Sequence, residues 1–380
     1  MSKPRYDILD GLRGVAALMV LLYHIFNDAK SFFVWPEPVG EFYHSFLGVD
    51  FFFILSGFVM GYAYDLRRWK DTPRLSSSEG KEPLTLMGFI KRRLIRLHPM
   101  VVMGVLVGVV AYLIQGSIRW DGTEVSFQTL LLSVLLALLL IPAPASLDVR
   151  GYTESFPLNG PHWSLFFEYV GSLLYGLVLH RLPTKWLRVW VACGILSISA
   201  FALLNEGGGV AYGWSSEPEN FVGGALRMLY AYPMGLLMAR MFRQRSPKPL
   251  RGHVFLLSSM ALVALLGMPS LGYKDANTIY QLVCLLSLFP AIIWYAARGT
   301  VSGWHQRAVS FLGRLSYPLY AVHYPVIYLY ITWVGRDLHP YQNYMHPWLP
   351  ALTAFAASIL IATLCLLLYD EPLRRKLSGK

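Results

Sequence analysis

The sequence predicts an all-α integral membrane protein of about ten transmembrane helices with both termini in the cytoplasm, and three observations predict it. Hydrophobic residues make up 55% of the 380 and charged residues only 14%, with a mean hydropathy of +0.45, whereas a water-soluble domain carries about 25% charged residues. Apolar runs close to the ~20 residues that cross a ~30 Å hydrocarbon layer recur along the whole chain. Basic residues collect in alternate connecting loops, the pattern that orients membrane proteins. No long polar stretch is left to build a soluble domain, so residues 1–380 read as a single membrane domain.

In chain order, the predicted spans lie near 9–27, 46–64, 97–115, 161–180, 186–204, 222–241, 252–268, 278–297, 311–334 and 348–369. Lys3 and Arg5 precede the first as they would a signal peptide. Asp7, Asp10 and Arg13 interrupt it, however, and no small-residue cleavage site follows Phe26, so it reads as a retained span. An eleventh run, 127–141, is shorter and ends at Pro142 and Pro144. If it does not cross, twenty-five Lys and Arg fall in inner segments and only Lys30, Arg119, Arg150, Lys274 and Arg336 in outer ones, beside acids such as Glu37, Glu41, Glu206, Glu217 and Glu219. If it crossed, the basic loop 240–251 would move outside, against the bias. Residues 127–141 are therefore expected to form a half-helix or re-entrant segment at the outer face, shielded by protein. The net charge of +11 is thus assigned to topology and not to nucleic acid. Cys193, Cys284 and Cys365 each sit in an apolar run and read as buried hydrophobes, with no metal site expected.

A charge at a helix centre costs ~2.5–3.5 kcal/mol on insertion scales, which makes each intramembrane ionisable residue a functional candidate. The first span, DGLRGVAALMVLLYH, holds Arg13 and His24 eleven residues apart. That spacing returns nearly to the same face roughly 16 Å along the axis. Arg13 falls near the inner boundary, with Asp10 three residues earlier to pair with it, and His24 falls inside the bilayer. Two readings stay open: a functional stripe, or a hydrogen-bonded core histidine with a snorkelling arginine.

In GVDFFFILSGF, Asp50 reads as an N-terminal helix cap, and Ser56 with Gly57 marks close helix approach. In KRRLIRLHP, Arg93 and Arg96 lie one turn apart on one face, and two planar guanidinium forks suit polyphosphate. On spacing alone, though, a topology signal in contact with lipid headgroups is the stronger reading. In NGPHWSLFFEYVG, Glu168 lies seven residues, about 10 Å, below the outer start of its span, with Ser164 on its face and Trp163 at interface depth. A buried carboxylate needs a partner, so Glu168 is assigned to the site, in a catalytic or structural role. In LGRLSYPLYAVHYP, Tyr317, Tyr320 and His323 recur as a rough polar stripe, and Pro318 and Pro325 would kink the helix; His323 reads as structural. Asp370 and Glu371 of YDEPLRRK are expected to form a salt-bridge network with inner arginines. The sequence holds no GxSxG elbow, Walker loop, HExxH, CxxC or dinucleotide fingerprint.

Taken together, these segments resemble the membrane acyltransferase-3 family, bacterial O-acyltransferases that modify O-antigen of lipopolysaccharide, exopolysaccharides, peptidoglycan and some small molecules. The matching pieces are LDGLRGVAALMVLLYH at 9–24, GVDFFFILSGF at 48–58, RRLIRLHP at 92–99, NGPHWSLFFE at 159–168 and LGRLSYPLYAVHYP at 312–325, in the family's order and over nearly the full chain. The resemblance implies a ten-span fold with cytoplasmic termini. It implies that Arg13 and His24 are the R-x10-H pair, with His24 essential to acyl transfer, and that Arg93 and Arg96 are the RxxR pair contacting the nucleotide phosphates of acyl-CoA. Glu168 matches the acid of the WSLxxE motif. Some members carry a fused SGNH esterase-like domain; this chain ends at Lys380 without one, so the acceptor is expected to meet the membrane domain itself or a separate partner.

The expected function is transfer of an acyl group, acetyl first among them, from acyl-CoA to a hydroxyl of a cell-surface glycan or other sugar-containing acceptor at the inner (plasma) membrane. The expected partners are the lipid bilayer, the acyl-CoA donor and that acceptor, with no permanently bound cofactor. The nucleotide would bind at Arg93 and Arg96, and the pantetheine arm would thread to His24. That imidazole would act as general base or as nucleophile, with Glu168 orienting it or the acceptor from the outer side. The outer aromatics Trp35, Tyr152, Trp214 and Tyr341 read mainly as interface anchors. A second reading is a proton-coupled secondary transporter using the same Arg, His and Glu residues, although paired repeats with broken helices are not evident. A third is a catalytically silent flippase partner, in which Arg13 and His24 would tolerate substitution.

Overall fold

All ten long apolar segments are helical, as a backbone in lipid must be to satisfy its own amides. The computed structural model describes residues 7–28, 42–65, 84–250, 252–301, 304–337 and 348–377. Lys3, Arg5, Lys30, the basic residues from Arg67 to Lys81, Arg251, Lys380, and the aromatics Trp35 and Tyr341 lie outside the described residues.

Helix α1 is Asp7–Asn27 and α2 is Gly48–Tyr64, the latter reached through a 3₁₀ turn at Tyr43–Leu47. Helix α3, Leu86–Gln115, starts on an N-cap at Thr85, whose hydroxyl accepts from the Gly88 amide. Then come α4 (Phe127–Leu138), α5 (His162–Leu174), α6 (Thr184–Leu204) and α7 (Pro218–Arg245). Helices α8 (Val254–Leu266), α9 (Lys274–Val283), α10 (Phe289–Ala296), α11 (Trp304–Thr332), α12 (Trp348–Cys365) and α13 (Glu371–Leu377) follow among the described residues. Among the described residues, four π-helical turns, beginning at Tyr175, Cys284, Trp333 and Leu366, extend α5, α9, α11 and α12.

Among the described residues, seven helical stretches are long and apolar enough to cross a membrane. The remaining segments read as spans are covered by α5, by the 13-residue α8 and by α11. The short run expected not to cross forms α4, whose 12 residues reach only ~18 Å.

Two prolines inside helices create needs that distant side chains meet. Proline lacks an N–H, so the carbonyl four residues before it loses its helical donor, and in a membrane it must find another. Pro325 frees the Ala321 carbonyl, and the Asn159 side-chain amide donates to it at 2.7 Å. Pro233 frees the Leu229 carbonyl, and the Trp190 indole donates at 3.1 Å. Helix α11 runs on as helix through both Pro318 and Pro325. The first of these bonds ties the NGPHW segment directly to the YAVHYP segment.

Helix contact in lipid rests on close packing, for which small residues make room. The α2–α7 crossing is the tightest case. A Cβ on Gly57 would overlap the Tyr232 carbonyl oxygen, and a Cβ on Gly235 would overlap that of Ile54. The α1–α11 crossing repeats the device with Gly14 against Leu312 and Gly313 against Asp10. Gly57→Ala is expected to lower stability by about 1–3 kcal/mol through overpacking, seen as a lower Tm in detergent. An unchanged Tm would mean that α2 and α7 do not approach this closely.

Candidate active site

These crossings set α1, α2, α3, α5, α7 and α11 around two chambers, one at each end of the bundle. Helix α1 links them, with Arg13 at the arginine-rich end and His24 at the other.

The chamber at the arginine-rich end has a volume of about 580 Å³. Arg13 donates to Asp10 at 3.1 Å on one wall. Arg93 is buried and donates to Glu168 at 2.9 Å, while the Ser56 hydroxyl donates to the same carboxylate oxygen at 3.1 Å. Arg96 and Arg92 also line the chamber, and neither has an ion-pair partner among the described residues. The two arginines one turn apart on α3 therefore differ. Arg93 is held by a carboxylate, and Arg96 offers its fork to the cavity. Tyr317 lines the same space and pins α11 to α3 by donating to the Leu97 carbonyl at 2.5 Å.

The opposite chamber, about 350 Å³, is lined by His24 and Asp28, by aromatic rings that include Tyr23, Trp163, Trp214 and Tyr324, and by Glu154. The His24 Nδ1 lies 3.0 Å from an Asp28 carboxylate oxygen. A carboxylate only accepts, so Nδ1 carries the hydrogen and the neutral ring keeps its lone pair on Nε2. The imidazole packs edge-on against Tyr324 at 4.6 Å and Tyr23 at 5.1 Å between ring centres. His24 is thus a chamber-wall residue with 17% of its side chain exposed, not a core histidine. Glu154, in the segment between α4 and α5, accepts from the Tyr328 hydroxyl at 2.5 Å, and burial pushes its carboxyl up to about 8.

Val49 and Tyr320 line both chambers and mark where they meet. The Tyr320 hydroxyl is 2.6 Å from that of Ser164, and its ring packs edge-on against Phe52. Trp163 faces the His24 side, and its neighbour Ser164 faces the arginine side.

Two sequence readings change, those of Glu168 and Asp50, while His323 keeps its structural reading. Glu168 does not orient the imidazole from the outer side, because packing of α5 against α2 and α3 turns it into the arginine-rich chamber and onto Arg93. Asp50 is not a free helix cap. Its two oxygens take a bidentate pair of bonds, 2.9 and 2.7 Å, from Arg227 of α7, with Asp50 fully buried. His323 is buried, with Nδ1 3.0 Å from the Leu319 and Tyr320 carbonyls and its ring 5.4 Å from that of His24. It lines neither chamber.

Three site residues escaped the sequence reading. Asp28 stands at i+4 from His24, a spacing that brings side chains together on a helix. Arg227 is a lone charge within an apolar run, a signal in its own right. Glu154 carries no local signal, because only the folding of its loop against α11 brings it to Tyr328.

Residues 6–370 match the family model described as an acyltransferase domain. Protein 2 of the picA locus of Rhizobium radiobacter is 33% identical over 207 residues, covering 53% of this chain and 93% of that protein. The protein named as membrane-bound transacylase BcsY of Komagataeibacter xylinus is 24% identical over 333 residues, 86% of this chain and 74% of its own length. Acyltransferase MdmB of Streptomyces mycarofaciens is 26% identical over 387 aligned positions, 95% of this chain and 87% of its own length. No solved structure gives a significant match.

Proposed function

The chain belongs to the acyltransferase-3 family of multi-pass membrane acyltransferases, and from that premise we propose that it carries an acyl group from acyl-CoA in the arginine-rich chamber to an acceptor hydroxyl in the His24 chamber. The observation that carries this reading is the His24–Asp28 pair standing at a chamber that adjoins the arginine-rich one across Val49 and Tyr320. The excess of Lys and Arg on one side supports a cytoplasmic arginine-rich end, where acyl-CoA is made, with the other end outside. The pantetheine arm spans the roughly 16 Å along α1 between Arg13 and His24.

His24 Nε2 takes the proton of the acceptor hydroxyl as its oxygen attacks the thioester carbonyl. The C–S bond of the tetrahedral intermediate then breaks, and the proton passes from the imidazolium to the departing CoA sulfur. Asp28 keeps the ring in the tautomer that exposes Nε2 and stabilises the imidazolium once formed, the role of the third member of a catalytic triad. The acceptor class is a sugar of a cell-surface glycan, whose apolar ring faces suit walls such as Trp163 and Trp214, and acetyl-CoA is the first donor to test. Membranes holding the protein, incubated with labelled acetyl-CoA and surface glycan, are expected to place label on the glycan. Protection or export of a solute without label would replace this reading with transport.

Asp28→Asn keeps a hydrogen-bonding side chain and removes the charge. It is expected to lower kcat by as much as about 10⁴-fold, since the imidazolium loses its counter-charge and the ring its fixed tautomer, with a smaller effect on KM for the donor. Equal losses in kcat and in folded protein would make Asp28 merely structural.

A further inference from the structure

Resting on the acyl-transfer reading above, we propose that Glu154 selects the acceptor: its carboxyl takes a hydrogen bond from an acceptor hydroxyl other than the one acylated. The acceptor class is then a polyol, such as a sugar residue, and not a lone alcohol.

Glu154 lines the His24 chamber, and only 7% of it is exposed. The transfer itself leaves it without a task, because His24 moves the proton and Asp28 holds the ring. One of its oxygens accepts from the Tyr328 hydroxyl, and among the described residues no other hydrogen bond reaches its side chain. Tyr328 is itself held, since the Arg150 guanidinium packs 3.7 Å from its ring centre and donates to the Pro157 carbonyl at 3.0 Å. The first oxygen is thus fixed, and the second is left for what enters the chamber. A buried acceptor left unpaired is costly. A molecule that supplies a hydroxyl there binds, and one that lacks it is rejected.

The backbone around Glu154 holds that position. Glu154 pairs with Ser215 in an antiparallel bridge. The Ser155 amide donates to the Trp214 carbonyl at 3.0 Å, and the Ser216 amide to the Thr153 carbonyl at 2.8 Å. These bonds lock the 142–161 segment to the 205–217 loop and bring Tyr152, Glu154 and Trp214 to one chamber. The two rings stay open, Tyr152 59% and Trp214 43% exposed. Broad apolar faces beside a buried hydrogen-bond acceptor suit a sugar, which has apolar ring faces and hydroxyls at its edge.

The full chain in nanodiscs is assayed with labelled acetyl-CoA and purified surface glycan, as wild type and as Glu154→Ala, Glu154→Gln and Tyr328→Phe. Glu154→Ala is expected to raise KM for the glycan about 10- to 100-fold, the loss of one strong hydrogen bond. Both kcat and KM for acetyl-CoA stay within about twofold, because a contact made equally in the bound and transition states acts on the acceptor KM alone. Glu154→Gln keeps an accepting oxygen, and its rise in glycan KM is smaller. Tyr328→Phe leaves the carboxyl in place and also raises glycan KM less than Glu154→Ala does. If Tyr328→Phe matched Glu154→Ala in both Tm and glycan KM, Glu154 would only anchor its loop, and the proposal would fall. A fall in kcat at unchanged glycan KM would put Glu154 on the reacting hydroxyl and overturn it as well. Unchanged glycan KM and kcat in both Glu154 variants would overturn it while acyl transfer stands. No label on the glycan with the wild type would instead remove acyl transfer to glycan, and the role of Glu154 with it.

Discussion

His24→Ala is expected to reduce acyl transfer by about 10²–10⁴-fold, the range that a positioned general base supplies, while the protein still inserts and folds. The ring stands on a chamber wall with part of its surface open, so its removal enlarges a cavity and leaves the core packing intact. Among the described residues, the only side-chain hydrogen bond lost is that to Asp28, which is itself partly exposed and finds water. A loss of function with a retained Tm therefore isolates chemistry from structure. His24→Gln sharpens the test, because an amide of similar reach has no basic nitrogen. Added imidazole is expected to restore part of the His24→Ala rate by entering the vacated space beside Asp28. Turnover within tenfold of wild type in either variant would remove His24 from proton transfer and leave the chamber as a binding site alone.

The helices and their order were legible because lipid imposes length and apolarity on every span. The Arg13–His24 alignment was legible for a related reason: both lie on one rigid helix, where spacing converts directly into depth and face. What spacing does not carry is rotation against neighbours. Glu168 was placed on α5, but which way it turns is decided by α2 and α3, and Arg93 stands 75 residues away in sequence. Asp50 looked like a cap because it opens an apolar run, and its true partner is 177 residues distant. Nothing near Asn159 hints that it serves a carbonyl freed by Pro325; the clue lies in the proline, which announces an unpaired acceptor somewhere. Asp28 is within reach of the i+4 rule, but it stands one residue past the end of α1, where the apolar pattern that marks the span has already stopped.

Arg227→Met is expected to lower stability by about 3–5 kcal/mol, the typical cost of leaving one member of a buried ion pair without the other. Asp50 has no exposed surface and Arg227 only 2% of its side chain, so the abandoned carboxylate finds no water. Arg227 also donates to the Tyr212 carbonyl at 2.6 Å, and its guanidinium lies 5.1 Å from the Trp163 ring centre. It therefore joins α2, α7, the 205–217 loop and the wall of the His24 chamber. Arg227→Lys keeps the charge and loses the fork, and an intermediate loss is expected. The decisive variant is the double replacement Asp50→Leu with Arg227→Met. Removing both charges is often neutral or stabilising, so most of the lost Tm should return. Activity should not return with it, because Trp163 and Tyr212 lose the group that positions the chamber wall. If the double variant were as unstable as Arg227→Met alone, packing of the arginine stem and not the unpaired carboxylate would hold α2 to α7. If it recovered full activity as well, the ion pair would have no part in shaping the acceptor chamber.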